Sequence, residues 1–290
     1  MSDYQQQYQS YFDEIERYLQ GLFMGGQPYD RLQEAMRYSL LAGGKRVRPV
    51  LTLAFCEALG GQRQSALPLA CALELVHTYS LIHDDLPCMD DDELRRGQPT
   101  CHTVYGEATA VLAGDALQAE AFRLMAQAPE LSGEQRADAV LELARACGGD
   151  GMVAGQLMDV EQIVTNEEEL RLMCGLKTGA MIQAAAVLGC VAADASGETR
   201  ERARAYGRHI GLAFQIRDDM LDVTASETEL GKPVGSDRSE GKHTFADMLG
   251  LEGCAAAVAE ETRLAKEAVE GLDGSGFLCR LADTLADRRM

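Results

Sequence analysis

The sequence predicts an all-α fold in a single domain. Prolines are missing between Pro129 and Pro233, where alanine, leucine, glutamate and arginine, all favourable in helices, are frequent. The sequence also lacks short alternating segments bounded by turns, the usual signal for strands. With 290 residues, 46% of them hydrophobic, and no recognisable linker or repeat, the chain can bury one sizeable core. We therefore expect residues 1–290 to form one domain.

Hydrophobic periodicity divides the chain into successive candidate helices. Their predicted bounds are 2–20, 29–41, 48–60, 65–86, 107–127, 133–147, 150–164, 167–189, 199–223, 243–270 and 275–288. Gly148-Gly149, Ser196-Gly197 and Asp273-Gly274 lie at joints between them. Pro87 is expected to end the helix over 65–86, because proline removes a helical hydrogen-bond donor.

Composition excludes several classes of protein. A net charge of −19 argues against binding to nucleic acid or to an anionic membrane surface. Residues 1–20 do not resemble a secretory signal, and the longest nearly apolar run, Gly179–Ala193, is shorter than the roughly 18 residues that a membrane span requires. The nine cysteines form no CxxC pair and are expected to be reduced and mostly buried, with Cys88 exposed. We expect a cytoplasmic protein without a membrane span.

A dense acidic cluster follows the predicted 65–86 helix. The ten residues from 84 to 93 contain six acids: Asp84, Asp85, Asp90, Asp91, Asp92 and Glu93. Their mutual repulsion is costly unless a cation neutralises them, and carboxylates without cysteines favour Mg²⁺ over Zn²⁺. The alternative is a solvated charged loop.

A second acidic cluster, FQIRDDMLD at residues 214–222, favours the metal over the loop. Asp218 and Asp222 are four residues apart and share one helix face with Gln215. Like charges at this spacing weaken a helix by a few tenths of a kcal/mol, so another requirement is expected to explain them. Two such clusters on separate helices predict a divalent-metal site.

A cationic turn, GGKRVRP at residues 43–49, predicts an anion site. Its glycines and Pro49 also fit a plain helix–helix joint. That alternative does not explain Lys45, Arg46 and Arg48 at a helix start, where the macrodipole repels cations. A bound phosphate does explain them. His77, seven residues before Asp84 on the same helix face, is assigned to the phosphate rather than to the core.

Three further motifs carry polar groups in apolar or glycine-rich surroundings. They are GQLMD at 155–159, KTGA at 177–180, and the stretch from 231 to 245 that holds Lys232 and Lys242. Lys177 needs a charged partner in its apolar helix. The two later lysines fit either a solvated loop or a lid that carries cations to a phosphate.

The motifs follow one another in the order GGKRVRP, DDLPCMD with RR after it, GQLMD, KTGA, FQIRDDMLD and the paired lysines. With this set the chain resembles the trans-isoprenyl diphosphate synthase family, and most closely its bacterial farnesyl diphosphate synthases. The resemblance covers about residues 40–250 and is very specific. The C-terminal ADTLADRRM departs from the family, because it lacks the tyrosine common in relatives.

The resemblance implies a helical bundle around a deep central cavity, with the two aspartate motifs facing each other, and a homodimer. It implies about three Mg²⁺ ions, replaceable by Mn²⁺, held by Asp84, Asp90 and Asp218. Asp85, Asp219 and Asp222 would join these acids in catalysis. Arg95, Lys177, Lys232 and Lys242 would bind the allylic diphosphate. Lys45, Arg48, His77 and Arg96 would bind isopentenyl diphosphate. Thr178 and Gln215 would face the allylic cation without capturing it.

The expected reaction condenses isopentenyl diphosphate with dimethylallyl and then geranyl diphosphate to give farnesyl diphosphate. Short-chain members resemble this chain in having an aromatic residue near Tyr79, five residues before Asp84, where it would form the floor of the product tunnel; the adjacent Ser80 is too small to do so. A geranylgeranyl diphosphate synthase is the alternative. A non-catalytic partner subunit would have lost part of an aspartate cluster, a terpene cyclase would not need the second diphosphate site, and a helical scaffold would explain none of the paired acids.

Overall fold

The structure, a computed structural model, describes residues 2–224 and 243–287. It confirms the all-α prediction. The helices are α1 (Asp3–Gln20), α2 (Asp30–Leu40), α3 (Val47–Ala58), α4 (Arg63–Asp84), α5 (Cys101–Tyr105), α6 (Glu107–Ala126), α7 (Gly133–Cys147), α8 (Met152–Val160), α9 (Glu167–Cys174), α10 (Ala180–Ala192), α11 (Gly197–Thr224), α12 (Phe245–Ala268) and α13 (Ser275–Asp287). A π-helical turn, Gly175–Gly179, joins α9 to α10.

Helix α10 lies at the centre of the bundle. Its small apolar side chains are almost all buried, and it packs against α3, α4, α7 and α11. Gly189 allows the approach to α3, because a Cβ there would lie 2.5 Å from the Thr52 carbonyl oxygen. Close packing of this kind requires a residue without a side chain.

Helix α4 carries the first acidic cluster at its C-terminal end. It has buried residues on all sides and ends at Asp84, with Asp85 as its C-cap. The predicted helix end was therefore close, and Pro87 follows as the residue that prevents continuation. The short hairpin after it, Leu94–Arg95 paired with Gln98–Pro99, was not predicted, and neither was α5.

A second, smaller apolar cluster packs α9, α11 and α12 together. It contains Ile216, Met220 and Phe245, and all three are buried. Ile216 and Met220 lie among the acids of α11, so their packing in this cluster fixes the rotation of α11 about its axis. The second aspartate motif therefore lies on a helix whose rotation is set by packing.

Two helical stretches, Arg63–Asp84 and Glu167–Ala192, are long and apolar enough to cross a membrane by length and composition. Most of each apolar window is buried inside the protein, 72% and 67% respectively, as in the core helices of a folded bundle. The cysteines are free thiols and most are buried, whereas Cys88 is exposed as predicted.

Candidate active site

The loop after α4 returns Asp90 to the side of Asp84. The Asp90 backbone N–H donates to the Asp84 carbonyl oxygen at 2.9 Å, and Met89 N–H donates to Leu86 O at 2.8 Å. This turn brings together the first and last aspartates of the motif. Burial raises the pKa of Asp84 to about 6; Lys177 and Arg95 oppose this effect, and Asp90 adds to it. The site therefore holds negative charge at an energetic cost that a bound cation would relieve.

Asp85 points to a different partner. Its Oδ1 accepts a hydrogen bond from Arg95 Nε at 2.5 Å, and Arg95 also contacts Asp92 at 3.1 Å. Burial raises the pKa of Asp85 to about 6, although Arg95 favours the charged form. In this structure Asp85 holds Arg95 against the end of α4, beside Asp84.

The π-helical turn places Lys177 opposite the end of α4. Lys177 Nζ lies 2.5 Å from Asp159 Oδ2 of the GQLMD motif, and both groups act on the pKa of Asp84. Gly155 makes this arrangement possible, because a Cβ there would lie 2.2 Å from the Lys177 backbone nitrogen. Helix α8 therefore packs directly on the turn. Its Asp159 is the charged partner expected for Lys177.

The next residue of the turn connects to the second aspartate motif. Thr178 Oγ1 lies 3.4 Å from Gln215 Oε1, and Gln215 Nε2 donates to Asp219 Oδ1 at 3.1 Å. The buried Asp219 also accepts from Phe245 N–H at 2.8 Å, at the start of α12. Asp219 thus tethers α12 to α11, a structural role that the sequence did not reveal.

The other two acids of the motif share the face of Gln215 on α11. Asp218 is partly exposed and Asp222 is buried. Because Gln215 contacts Thr178 while the adjacent Lys177 acts on Asp84, both aspartate motifs come to the same π-helical turn. The sequence singled out Lys177 and Thr178 of this turn through the KTGA motif, but it did not predict the π-helical geometry that brings them to both aspartate motifs.

Arg48 and Arg96 form a separate cationic group around His77. Burial lowers the pKa of His77 well below its usual value, and Arg48 and then Arg96 lower it further. His77 is therefore a neutral side chain beside guanidinium groups. Within residues 2–224 and 243–287, the buried Arg48 Nε has no hydrogen-bond partner. A buried, unsatisfied donor among cations is the environment expected for a bound anion.

Arg96 approaches the glycines of the cationic turn. Its Nη1 donates to the Gly43 carbonyl oxygen, and a Cβ on Gly44 would lie 2.7 Å from the same nitrogen. Gly43 and Gly44 both have positive φ, 84° and 132°. Glycine is required at this turn for both reasons. Lys45 is exposed, and its carbonyl oxygen accepts from the Tyr8 hydroxyl at 2.5 Å.

Arg46 differs from its expected place among the cations of the anion site. It is 3% exposed and bonded to Glu16 and Glu74 rather than turned toward Lys45 and Arg48. Glu74 was not predicted from the sequence as part of this site. Its position three residues before His77 was the available signal.

Tyr79 lies inside the bundle, 6% exposed, with its ring edge-on to His83 at 5.6 Å between centroids. Burial raises the pKa of Tyr79, and its hydroxyl lies near Gln118 of α6. Ser80 turns back onto its own helix, donating to the His77 carbonyl oxygen at 2.9 Å. Of this pair, Tyr79 alone presents a bulky rigid group to the interior.

The acids at the turn suit a hard cation. Across the described parts of the chain, no three acidic, histidine or cysteine side chains are grouped so as to hold a metal by themselves. Mg²⁺ is usually held by one or two carboxylates together with substrate phosphate oxygens and water, so a pair such as Asp84 and Asp90 fits it. Lys232 and Lys242, assigned above to the allylic diphosphate, lie outside the described residues.

Comparison with known proteins relates this arrangement to one family. Residues 29–271 match the family described as polyprenyl synthetase. The chain is 46% identical over 264 residues to the farnesyl diphosphate synthase of Bacillus subtilis, covering 89% of each chain. It is 50% identical over 251 residues to geranylgeranyl pyrophosphate synthase 9 of Arabidopsis thaliana, covering 84% of this chain and 70% of that one. The crystal structure of an FPP/GFPP synthase from Zymomonas mobilis superposes with a TM-score of 0.87 at 34% identity, covering 98% and 99%.

Proposed function

Since the chain belongs to the polyprenyl synthetase family, we propose that it condenses isopentenyl diphosphate with dimethylallyl and then geranyl diphosphate to give farnesyl diphosphate. The observation that carries this proposal is the pairing of two sites with opposite charge preferences. Carboxylates of both aspartate motifs come to one π-helical turn, while a buried cationic group lies beside the same helix α4. One site suits a metal-bound diphosphate and the other a second, directly bound diphosphate.

In this proposal Asp84, Asp90 and Asp218 hold Mg²⁺, which when bound neutralises the leaving diphosphate of the allylic substrate. Lys177 and Arg95 add positive charge beside it. In the structure these two cations form ion pairs with Asp159 and Asp85. They are therefore already positioned at the rim of the site, and substrate oxygens would compete with the two carboxylates for them.

Isopentenyl diphosphate is assigned to Lys45, Arg48, His77 and Arg96. Arg48 offers its buried Nε–H, and the neutral imidazole of His77 can donate one hydrogen bond without adding charge. Arg96 is held to the backbone of the 43–44 turn, so its guanidinium is directed before the substrate arrives. Charge-assisted hydrogen bonds of this kind orient the isopentenyl double bond toward the allylic carbon.

The condensation then requires a site that excludes water and has no nucleophilic side chain near the allylic cation. The allylic C–O bond breaks, the isopentenyl double bond forms the new C–C bond, and the released diphosphate takes the proton lost from the product. Thr178 and Gln215 face this region through neutral oxygens that stabilise positive charge. Asp219 holds the Gln215 amide in place.

Tyr79 supports farnesyl over geranylgeranyl diphosphate as the product. It lies five residues before Asp84, about 7.5 Å along the helix axis at 1.5 Å per residue. A buried aromatic ring at this depth would stop the growing chain after two additions. The similarity to synthases of both products leaves the length to be decided by measurement.

The reaction is tested by the initial rate of diphosphate release from purified protein with Mg²⁺. We expect release only when isopentenyl and dimethylallyl diphosphates are both present, and loss of release in EDTA. Release from dimethylallyl diphosphate alone would indicate a cyclase or hydrolase instead. Full turnover in EDTA would contradict the metal assignment.

A further inference from the structure

Arg46 has no role in the proposed reaction, although residues on both sides of it in the sequence have one. It lies between Lys45 and Arg48 in the cationic turn, yet it is 3% exposed. Its backbone has φ 51°, in the left-handed region, and it forms the N-cap of α3 without a side-chain capping bond. Such a conformation is unfavourable for a residue with a side chain and persists only where surrounding contacts impose it.

The contacts that impose it come from three other helices. Arg46 Nε donates to Glu16 of α1 at 2.7 Å, Nη1 donates to Glu74 of α4 at 2.6 Å, and Nη2 donates to the Leu40 carbonyl oxygen at the end of α2 at 2.7 Å. Each guanidinium nitrogen is engaged. A substrate phosphate could recruit Arg46 only by leaving two carboxylates unpaired, one of them 3% exposed.

We propose that Arg46 is a positioning residue for the isopentenyl diphosphate site: its buried contacts fix the 43–48 turn, so that Lys45 and Arg48 are held in the orientation that binds the second diphosphate. The inference rests on the function proposed above. A buried ion pair adds little net stability compared with apolar packing, and its best-attested use is to specify one conformation. Here the conformation specified is that of the turn.

The geometry on both sides of Arg46 supports this role. Before it, the Gly43 carbonyl oxygen accepts from Arg96, and Lys45 is tied through its own carbonyl oxygen to Tyr8. After it, Arg48 carries the buried, unsatisfied Nε. A rotation of the backbone at Arg46 would move all of these groups together, because they lie within three residues of it or bond to that segment.

Glu74 connects the positioning contact to the charge of the site. Burial lowers the pKa of Arg48 and of Arg96, and Glu74 opposes this effect at both. At Arg46, burial also lowers the pKa, but Glu74 and Glu16 outweigh it. One carboxylate therefore both anchors Arg46 and offsets part of the cost of burying the positive charges of Arg48 and Arg96.

The test compares Arg46→Lys with Arg63→Lys as a matched control. Arg63 makes a similar set of bonds, to Glu14 of α1 and Glu57 of α3, but none to the cationic turn. Lysine keeps the charge at each position and loses the planar fork that reaches several partners. Both variants are measured for melting temperature and for the KM of each substrate.

For Arg46→Lys we expect the KM for isopentenyl diphosphate to rise about tenfold, the cost of one misplaced charged hydrogen bond, while the KM for dimethylallyl diphosphate stays within about twofold. Arg63→Lys should leave both KM values within about twofold, whatever its melting temperature. If Arg46→Lys does not fold, Glu16→Gln is measured instead, and a selective rise in the isopentenyl diphosphate KM is again expected.

If the wild type is active and the folded variant keeps the same KM for isopentenyl diphosphate, the positioning role of Arg46 is wrong, while the proposed function stands. Equal rises in both KM values would also contradict the positioning role, because they would show a general structural effect. A wild type without condensing activity would overturn the proposed function, and this inference with it.

Discussion

The carboxylate of Asp84 is buried in an environment that disfavours its ionised form. Burial raises its folded-state pKa from 3.8 to about 6, so the folded protein holds the proton more tightly than the unfolded chain does. The free energy of unfolding therefore falls as pH rises from about 4 through about 6, and the full penalty remains above that range. The charge of this side chain therefore does not stabilise the fold at neutral pH, and we expect its role to be in binding.

Asp84→Asn should therefore stabilise the metal-free protein and abolish its activity. In urea unfolding with EDTA at about pH 7.5, we expect the variant to unfold at higher urea than the wild type, and the difference to disappear near pH 4. Turnover with Mg²⁺ should fall at least about a hundredfold. Glu93→Gln, an exposed acid of the same stretch, is the control and should change neither. A destabilised Asp84→Asn protein would show that the carboxylate has a structural role.

Arg95 and Arg96 are adjacent but turn to different sites. Arg95 donates to Asp85, next to the proposed metal ligand Asp84, whereas Arg96 donates to the Gly43 carbonyl oxygen. We expect Arg95→Ala to weaken mainly the binding of the allylic substrate, and Arg96→Ala to raise mainly the KM for isopentenyl diphosphate. Each change should cost about 1.5–3 kcal/mol of binding free energy. Identical substrate profiles in steady-state kinetics would contradict the division into two sites.

Among the elements, the π-helical turn depends on Gly155 of α8. A Cβ at that position would lie 2.2 Å from the Lys177 backbone nitrogen, so Gly155→Ala must move α8 or the turn. We expect lower activity and a lower melting temperature, although alanine alone favours a helix by about 1 kcal/mol over glycine. Gly276→Ala in α13, where a Cβ meets nothing within 4 Å, should be neutral or stabilising. Equal behaviour of the two variants would show that the close approach is not required.

The helices could be predicted from the sequence because local signals define them. Apolar periodicity located α4 and α11, and Pro87 marked the end of the first of these. The π-helical turn could not be predicted, because its hydrogen-bond register depends on α8 packing against it, a contact between segments distant in sequence. The same limit applies to Arg46 and Asp219, whose partners come from other helices. Residue type located the charged motifs, but only the fold shows which charged side chains pair with one another.

In the molecule as a whole, exposed apolar side chains on α6 and α7 are candidates for the interface of the homodimer that the family resemblance implies. Val111, Leu112 and Leu141 are 38%, 58% and 48% exposed. A partner subunit that covered these side chains would remove their apolar surface from water. Leu112→Glu should yield monomers in sedimentation analysis, whereas Leu172→Glu, at a similarly exposed leucine of α9, should not. A monomeric wild type would contradict the dimer.

Tyr79→Ala tests whether the depth of the bundle sets product length. Removing the ring should open the space below Asp84 and shift the product from C15 toward C20 or longer, at a cost in stability of about 3 kcal/mol from the cavity. Tyr79→Phe keeps the ring and should still give C15. If a folded, active Tyr79→Ala protein still released only C15, the floor would lie elsewhere.

The most direct measurement is the chain length of the product made by the wild-type protein. Purified protein is incubated with isopentenyl and dimethylallyl diphosphates and Mg²⁺, and the dephosphorylated products are separated by chromatography. A buried ring at Tyr79, five residues before Asp84, the proposed metal ligand, predicts farnesol as the main product. Geranylgeraniol as the main product would contradict the assignment of Tyr79, and the absence of any product longer than the C5 substrates would contradict the proposed reaction itself.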